Sequence, residues 1–370
     1  MSHDPERPET GLETYGWNEA FQRDFNLLAD NTQGDAPLSP GRVILQQRGS
    51  YGLATRRGEV RAEISGKLAR DAAAGGYPAA GDWVAASLPN SDAPAIIHAV
   101  LPRRTAFVRK ASGSKGGMQV VAANVDVAFL TASLNADLNP RRLERYLAAA
   151  WQSGAAPVVL LTKADLCDDV ASAVTEIEAM AVGAPVHAIS SLTGDGLGAL
   201  TDYLKPGTTA VMVGSSGAGK STLVNALVGS ERMATQAIRE TDARGRHTTS
   251  HRELILLPGG GLLLDTPGMR ELGLWDSEEG LAATFEDIEA LAAGCKFGDC
   301  GHGNEPGCAV RPALESGELA PDRWASFLKL RRELSYLESR EDPALRAARR
   351  RQWVGISKAN RLLSKTRGKP

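Results

Sequence analysis

The stretch Val213–Leu223, VGSSGAGKSTL, places Gly214, Gly219, Lys220 and Ser221 in the spacing G-x-x-x-x-G-K-S. Such a loop lets successive backbone N–H groups point inward at the oxygens of a polyphosphate. Gly214, Ser215, Ser216, Gly217, Ala218 and Gly219 form the cradle, and Lys220 is positioned to reach the β- and γ-phosphates. Ser221 supplies a hydroxyl for Mg²⁺, and Thr222 continues the binding segment. An apolar run, TTAVMVG, precedes the loop and a helical one, KSTLVNALVG, comes after it. That context puts the phosphate at the positive end of a helix.

A phosphate cradle does not choose a base. Guanine presents two donors on one edge, and a carboxylate is the group that accepts both. TKAD, formed by Thr162, Lys163, Ala164 and Asp165, comes after the apolar run PVVLL and provides that carboxylate. Asp165 is the guanine reader, and Lys163 lies along the base plane. A site built around such a bond rejects a base that lacks its partner. Ser190 and Ser191, after the strand-like PVHAI, open a short loop suited to donating a backbone N–H to the guanine carbonyl. Thr162 stands where the guanine-reading N-K-x-D element has Asn, which predicts a weaker contact to the ring or to the cradle.

Two further segments lie downstream of the cradle. GRHTT contains His247, Thr248 and Thr249, and DTPG runs from Asp265 to Gly268 after the apolar GLLL. Asp265 can hold the Mg²⁺ shell, the Gly268 N–H can contact a γ-phosphate, and Thr248 or Thr249 can close over the metal. Met269 occupies the place where many GTPases carry a water-orienting Gln. His247 is the expected replacement, with a surface histidine as the alternative reading.

CKFGDCGHGNEPGC gathers Cys295, Cys300, His302 and Cys308 on short spacers. Three thiolates and one imidazole suit a closed tetrahedral Zn²⁺ site that holds structure and leaves no position for substrate. Cys167 stands apart and reads as a small packing residue.

Positioning these groups requires a parallel sheet. VDVAFLTASL, PVVLLTKADL, PVHAISS and TTAVMVG read as strands separated by helices, one of them opened by Pro140 and closed by Gly154. RELILLPGGGLLLDTPG reads as a β-hairpin with glycines at its turn. Before this α/β region, residues 37–118 carry short β-branched runs punctuated by Gly, Pro, Asn and Asp, the pattern of a small β-barrel. Twelve Lys/Arg against five Asp/Glu between Arg42 and Lys115 make that barrel basic.

The expected division is a flexible tail over 1–36, the barrel over 37–118, a nucleotide domain over 119–278, and a helical metal-binding domain over 279–370 with a basic end. Residues 1–35 carry eight acidic side chains against two arginines, whereas Arg323–Pro370 carry fourteen Lys/Arg against four Asp/Glu. This asymmetry, under a net charge of −2, points to a polyanionic partner. Trp83, Phe107 and Trp353 could stack on the bases of such a partner, with core packing as the alternative reading. No long apolar run or signal-like start occurs, so a cytoplasmic protein with no membrane association is expected.

The order along the chain is base reader, base loop, cradle, first switch, second switch: a circularly permuted GTPase domain. Together with GDW at 81–83, RRTAFVRK at 103–110, GRHTT, DTPGMREL and the Cys/His cluster, it resembles the RsgA family of GTPases. The resemblance implies an OB-fold barrel and GTP hydrolysis stimulated by the 30S ribosomal subunit in late subunit maturation. Contact with 16S rRNA and a monomeric chain are further expectations. Two other readings compete: a small-molecule kinase, which would prefer adenine, and a nucleotide-binding scaffold without turnover.

Overall fold

The computed structural model of the protein describes residues 11–31, 37–47, 49–72, 76–91, 93–110, 118–135, 138–229, 252–265, 281–282, 284–298, 300–303 and 305–341. They fall into two compact units, 1–273 and 274–370.

The first unit opens with a correction. Composition predicts a loose tail over residues 1–36, yet Glu19–Asn31 is a helix (α1). Asn18 starts it by accepting from the N–H groups of Ala20 and Phe21 at 3.0 and 3.2 Å. Trp17, Phe21 and Phe25 recur every four residues, forming one helical stripe, and all three are buried. Trp17 meets Trp83 edge-on with ring centroids 4.7 Å apart. Acidic composition masks this stripe, because charge on the outer face says nothing about the inner one.

Five strands come next: Leu38–Gln47 (β1), Ser50–Thr55 (β2), Gly58–Ile64 (β3), Trp83–Ser87 (β4) and Ala95–Val100 (β5). Their order β1-β2-β3-β5-β4, with β4 returning to β1, closes a barrel. A short helix, Gly66–Asp71 (α2), links β3 to β4. This is the expected OB-fold arrangement. Val43, Tyr51, Leu53, Ala62, Val84 and Ile97 fill the interior.

Ala106–Lys110 (β6) and Met118–Ala123 (β7) form a separate two-stranded sheet in which Lys110 opposes Met118. A domain boundary between residues 118 and 119 would therefore cut a hairpin, and the expected division is corrected here. Strand chemistry is the same on both sides of that point, so residue types cannot mark it.

The nucleotide region contains Val127–Ser133 (β8), Pro140–Ser153 (α3), Ala156–Thr162 (β9), Val170–Met180 (α4), Val186–Ala188 (β10), Thr209–Gly214 (β11), Lys220–Val228 (α5), Arg252–Leu256 (β12) and Leu262–Asp265 (β13). Helix α3 begins as its residues predict: Asn139 caps it, Pro140 occupies the first turn, and Gly154 ends it at φ 83°. The strands order as β10-β9-β8-β11-β13-β12, parallel except for β12. β12 also pairs with β1, Leu45 opposite Glu253 and Gln46 opposite Arg252. Barrel and nucleotide sheet thus form one eleven-stranded sheet, a continuity no local pattern announces.

Arg42 sits at that joint and is 2% exposed. Its guanidinium donates to the Tyr15 carbonyl, to Gly81 O at 3.2 Å, to Asn124 O at 3.0 Å and to Thr209 Oγ1 at 2.9 Å. Burial draws its pKa down to about 10, while Asp126 and Asp82 pull the other way. Asp82, also buried, takes a bidentate pair from Arg103 at 2.9 and 2.8 Å.

In the second unit, Glu286–Ala293 (α6), Val310–Ser316 (α7) and Pro321–Glu341 (α8) surround the Cys/His segment. Arg323 on α8 grips both oxygens of Asp287 on α6 at 2.7 Å and donates to Thr284 O at 3.0 Å. No helix among the described residues is long and apolar enough to cross a membrane.

Removing one member of a buried charge network strands its partners, at about 3–5 kcal/mol. Arg42→Ala should lose about that much in urea unfolding. Arg42→Lys should recover only a fraction, because one ammonium cannot reach four acceptors on separate segments. Stability within about 0.5 kcal/mol of the parent would show that the joint does not depend on this group.

Candidate nucleotide-binding site and metal centre

Chain order and spatial order diverge in the sheet at a specific place. From β8 the chain moves outward through β9 to β10, then returns across β8 to lay down β11 and β13 on its other side. In open parallel sheets, such a reversal leaves a crevice beyond the carboxyl ends of the strands, and ligands bind there. Gly214 ends β11 at this point, Thr162 ends β9, and Asp265 ends β13. The cradle, the TKAD segment and Asp265 therefore share one edge of the sheet.

Gly214 has no alternative residue. A Cβ there would stand 2.1 Å from Thr131 Oγ1 and 2.6 Å from the Thr131 carbonyl. The strand ends are that close because Thr131 Oγ1 donates to Val213 O at 3.0 Å. Gly217 and Gly219 both take φ 80°, the left-handed region that a curling loop needs. Ala218 is buried, Ser216 and Gly217 are exposed, and Ser215, Ser221 and Lys220 are half-buried, with Thr222 exposed on the first turn of α5. Lys220 Nζ donates to the carbonyls of Gly214 at 2.7 Å and Ser215 at 2.5 Å, which holds the ammonium over the loop.

Thr162 resolves the question its substitution raises. Its hydroxyl donates to Ala218 O at 2.9 Å and lies 3.4 Å from Ala132 O. The link from the TKAD segment to the glycine loop is therefore made by threonine itself. Lys163 adopts φ 59°, turning the chain out of β9 into the 3₁₀ turn Ala164–Leu166 that carries Asp165. Ser190, expected to act through its backbone, uses its side chain: Oγ donates to Asp165 Oδ1 at 2.6 Å. The same oxygen accepts from the N–H groups of Leu192 and Thr193, both at 3.2 Å. Ser190 thus fixes the Asp165 carboxylate, which retains acceptor sites for other donors. Ser191 is half-buried beside it. Leu166 and Leu192, which residue typing passes over, are 64% and 83% exposed next to this pair. Exposed leucines beside a fixed carboxylate suit the face and edge of a flat heterocycle.

His247, Thr248, Thr249 and Gly268 lie outside the described residues, as does Met269. Asp265 is half-buried at the end of β13, opposite Glu253 of β12.

The Cys/His segment converges as its spacing requires. One ligand atom from each of Cys295, Cys300, His302 and Cys308 lies within 4.8 Å of all the others. His302 Nδ1 is 3.5 Å from Cys295 Sγ and 3.7 Å from Cys308 Sγ. A tetrahedron with metal–sulfur bonds of about 2.3 Å and metal–nitrogen bonds of about 2.0–2.1 Å has edges of about 3.5–3.8 Å. The cluster fits Zn²⁺. The Ala309 N–H, 3.3 Å from Cys295 Sγ, holds that thiol below its ordinary pKa, and burial does the same for the His302 imidazole. Both shifts favour the metal-ligating forms. His302 takes φ 57° and rests edge-on against Trp324 of α8 at 5.6 Å, tying the knot to its helix.

Trp83 and Phe107, candidates for stacking on nucleic acid, are 0% and 2% exposed and belong to the core. Trp353 lies outside the described residues.

An OB-fold barrel joined to a parallel sheet, with the TKAD segment encoded before the G-x-x-x-x-G-K-S loop, is the arrangement of a circularly permuted P-loop GTPase. Comparison with known proteins supports that class. The RsgA GTPase family profile matches residues 100–275. A small ribosomal subunit biogenesis GTPase RsgA from Opitutus terrae is 46% identical over 368 residues, spanning 97% of this chain and 99% of its own. One from Streptomyces avermitilis is 46% identical over 345 residues, spanning 92% and 90%. Among solved structures, YjeQ from Thermotoga maritima aligns with TM-score 0.62 and 26% identity, over 80% of this chain and 99% of its own. YloQ, described as a circularly permuted GTPase, aligns with TM-score 0.59 and 25% identity, over 82% and 97%. The chain belongs to the RsgA GTPase family and is a GTP hydrolase.

Two measurements probe these geometries. Thr162→Val keeps the volume and removes the donor to Ala218 O, an unpaired buried carbonyl worth about 1–3 kcal/mol. GTP and GDP affinities should fall together by about tenfold or more in a fluorescent-nucleotide titration; unchanged affinity would deny the link. Cys300→Ser should lose one equivalent of zinc, and hydrogen exchange should show α6–α8 unprotected while β8–β13 stay protected. Retention of protection in α6–α8 without metal would refute a structural role.

Proposed function

We propose that this GTPase acts on the small ribosomal subunit, hydrolysing GTP slowly alone and faster when bound to the subunit during late maturation. The observation that carries the reading is the Ser190–Asp165–Thr162 arrangement beside the cradle, a guanine-selective edge tied to a phosphate loop. Its relatives are named for small-subunit biogenesis, which supplies the partner class.

In this reading Asp165 accepts the two guanine donors, Lys163 lies along the ring, Ser191 lies in the base loop, and the loop from Gly214 to Gly219 donates to phosphate oxygens. Lys220 balances charge on the β- and γ-phosphates. Ser221 would hold the Mg²⁺ that accompanies GTP, with Asp265 on its shell through water, and the ion would screen the phosphates. His247 orients the attacking water, Gly268 contacts the γ-phosphate, and Thr248 or Thr249 closes over it. Because Met269 cannot orient water, the isolated protein is slow, and a group supplied or ordered by the partner accounts for about 10³–10⁵-fold in related systems.

The Cys₃His cluster holds one structural Zn²⁺. The basic barrel and the basic C-terminal segment meet 16S rRNA through phosphate contacts. The chain works as a cytoplasmic monomer, away from membranes.

Steady-state turnover of GTP and ATP, with and without purified small subunits, tests the whole reading. GTP should be preferred by at least about 10²-fold and turnover should rise with subunits. Asp165→Asn, which exchanges an acceptor for a donor, should lose GTP and gain xanthosine triphosphate, whose ring carries a carbonyl where guanine has an amine. His247→Ala should lose stimulation in the same assay. Preference for ATP would favour a small-molecule kinase, and binding without turnover would favour a scaffold.

A further inference from the structure

Four carbonyls along the glycine loop are held by side-chain donors. Lys220 Nζ donates to those of Gly214 and Ser215 at 2.7 and 2.5 Å, and Thr162 Oγ1 donates to that of Ala218 at 2.9 Å. The fourth, Val213 O, is the last before the loop begins, and Thr131 Oγ1 donates to it at 3.0 Å. Peptide groups are planar and trans, so a carbonyl held on one side turns the N–H of the next residue toward the other. Holding these four carbonyls sets the direction of the N–H groups of Gly214, Ser215, Ser216 and Gly219. Those N–H groups are what a phosphate cradle presents to its ligand.

Thr131 makes its contribution from a neighbouring strand. It lies on β8 opposite Gly214 of β11 and is 1% exposed. Its hydroxyl stands where a Gly214 side chain would begin, so the close approach depends on glycine at that position. The residue lies outside the G-x-x-x-x-G-K-S and TKAD segments, and spacing along the chain does not single it out. A valine in its place would fill the same volume and leave the Val213 carbonyl without this donor. The base side of the site is organised separately, by Ser190 Oγ donating to Asp165 Oδ1 at 2.6 Å.

We propose that Thr131 is a positioning residue for the polyphosphate of the bound nucleotide. Its hydroxyl fixes the Val213–Gly214 peptide, the plane from which the loop departs, and so sets the first donors of the cradle. It takes no part in reading the base. The inference rests on the reading of this loop as the phosphate cradle, and adds a residue outside the loop that governs phosphate affinity apart from guanine affinity.

The test uses the full chain with Thr131→Val, which keeps the volume and removes the donor, and Thr131→Ser, which keeps the donor. GDP and GTP are titrated as fluorescent analogues, and guanosine by competition. Thr131→Val should bind GDP and GTP about tenfold more weakly, the loss expected when one buried acceptor is left unpaired, and guanosine within about twofold of the parent. Thr131→Ser should stay within about threefold of the parent for all three ligands. A hydroxyl with a merely structural role would lower the melting temperature and leave the ratio of GDP to guanosine affinity where it was. That unchanged ratio, or an equal loss in Thr131→Ser, overturns the proposal. Should the valine variant fail to fold, Thr131→Cys, whose thiol is a weak donor, is read by the same ratio. If the parent chain binds guanosine as tightly as GDP, the cradle reading falls and this inference falls with it. If the parent favours GDP and Thr131→Val favours it equally, the cradle stands and Thr131 has no such role.

Discussion

Arg42 carries a positive charge where water scarcely reaches. A charge in that position must be met on every side, and the acceptors come from Tyr15, Gly81, Asn124 and Thr209. These belong to the N-terminal segment, the turn before β4, the end of the β6–β7 hairpin and the first residue of β11. Nothing in chain order brings them together. Their convergence on one guanidinium makes their relative placement a requirement of solvation, since displacing any one of them strands a buried polar group. Asp82 extends the requirement outward to Arg103, and Asp126 extends it to the backbone of Thr209 at 2.7 Å. The barrel and the nucleotide sheet are consequently held in one orientation, and β1 completes the joint by leaving its barrel partner β4 and pairing with β12.

Permutation costs the nucleotide site nothing because the site is defined by strand neighbours. Thr131 on β8 crowds Gly214 after β11, and Thr162 on β9 reaches Ala218 within the loop. The first contact joins adjacent strands and the second reaches past β8 to the loop after β11, whichever strand is encoded first. β12 pairs with β13 on one side and with β1 of the barrel on the other.

The metal cluster answers a different shortage. The second unit has a small apolar core built on Phe285, Ile288, Val310, Ala313, Phe327 and Leu330. Short helices gain little from propensity alone and need tertiary anchoring. The His302 imidazole packed on Trp324 and the Arg323–Asp287 clamp contribute to it, and a metal held by the four converging Cys and His side chains would add to it.

Residue types and spacing alone display the G-x-x-x-x-G-K-S, TKAD and Cys₃His segments, and strands and helices whose caps at Asn139 and Gly154 are local events. These features are governed by neighbours in the chain, so the chain displays them. Helix α1 is not legible in this way, because its burial depends on Trp83, far along the sequence, while its exposed face looks like a polar tail. The roles of Ser190 and Thr162 are equally hidden, since a hydroxyl does not reveal which distant carboxylate or carbonyl it will meet. The fusion of barrel to nucleotide sheet and the Arg42 joint were decided only in three dimensions. Each depends on groups more than a hundred residues apart, brought together by cross-strand pairing and by the cost of leaving a buried charge without partners.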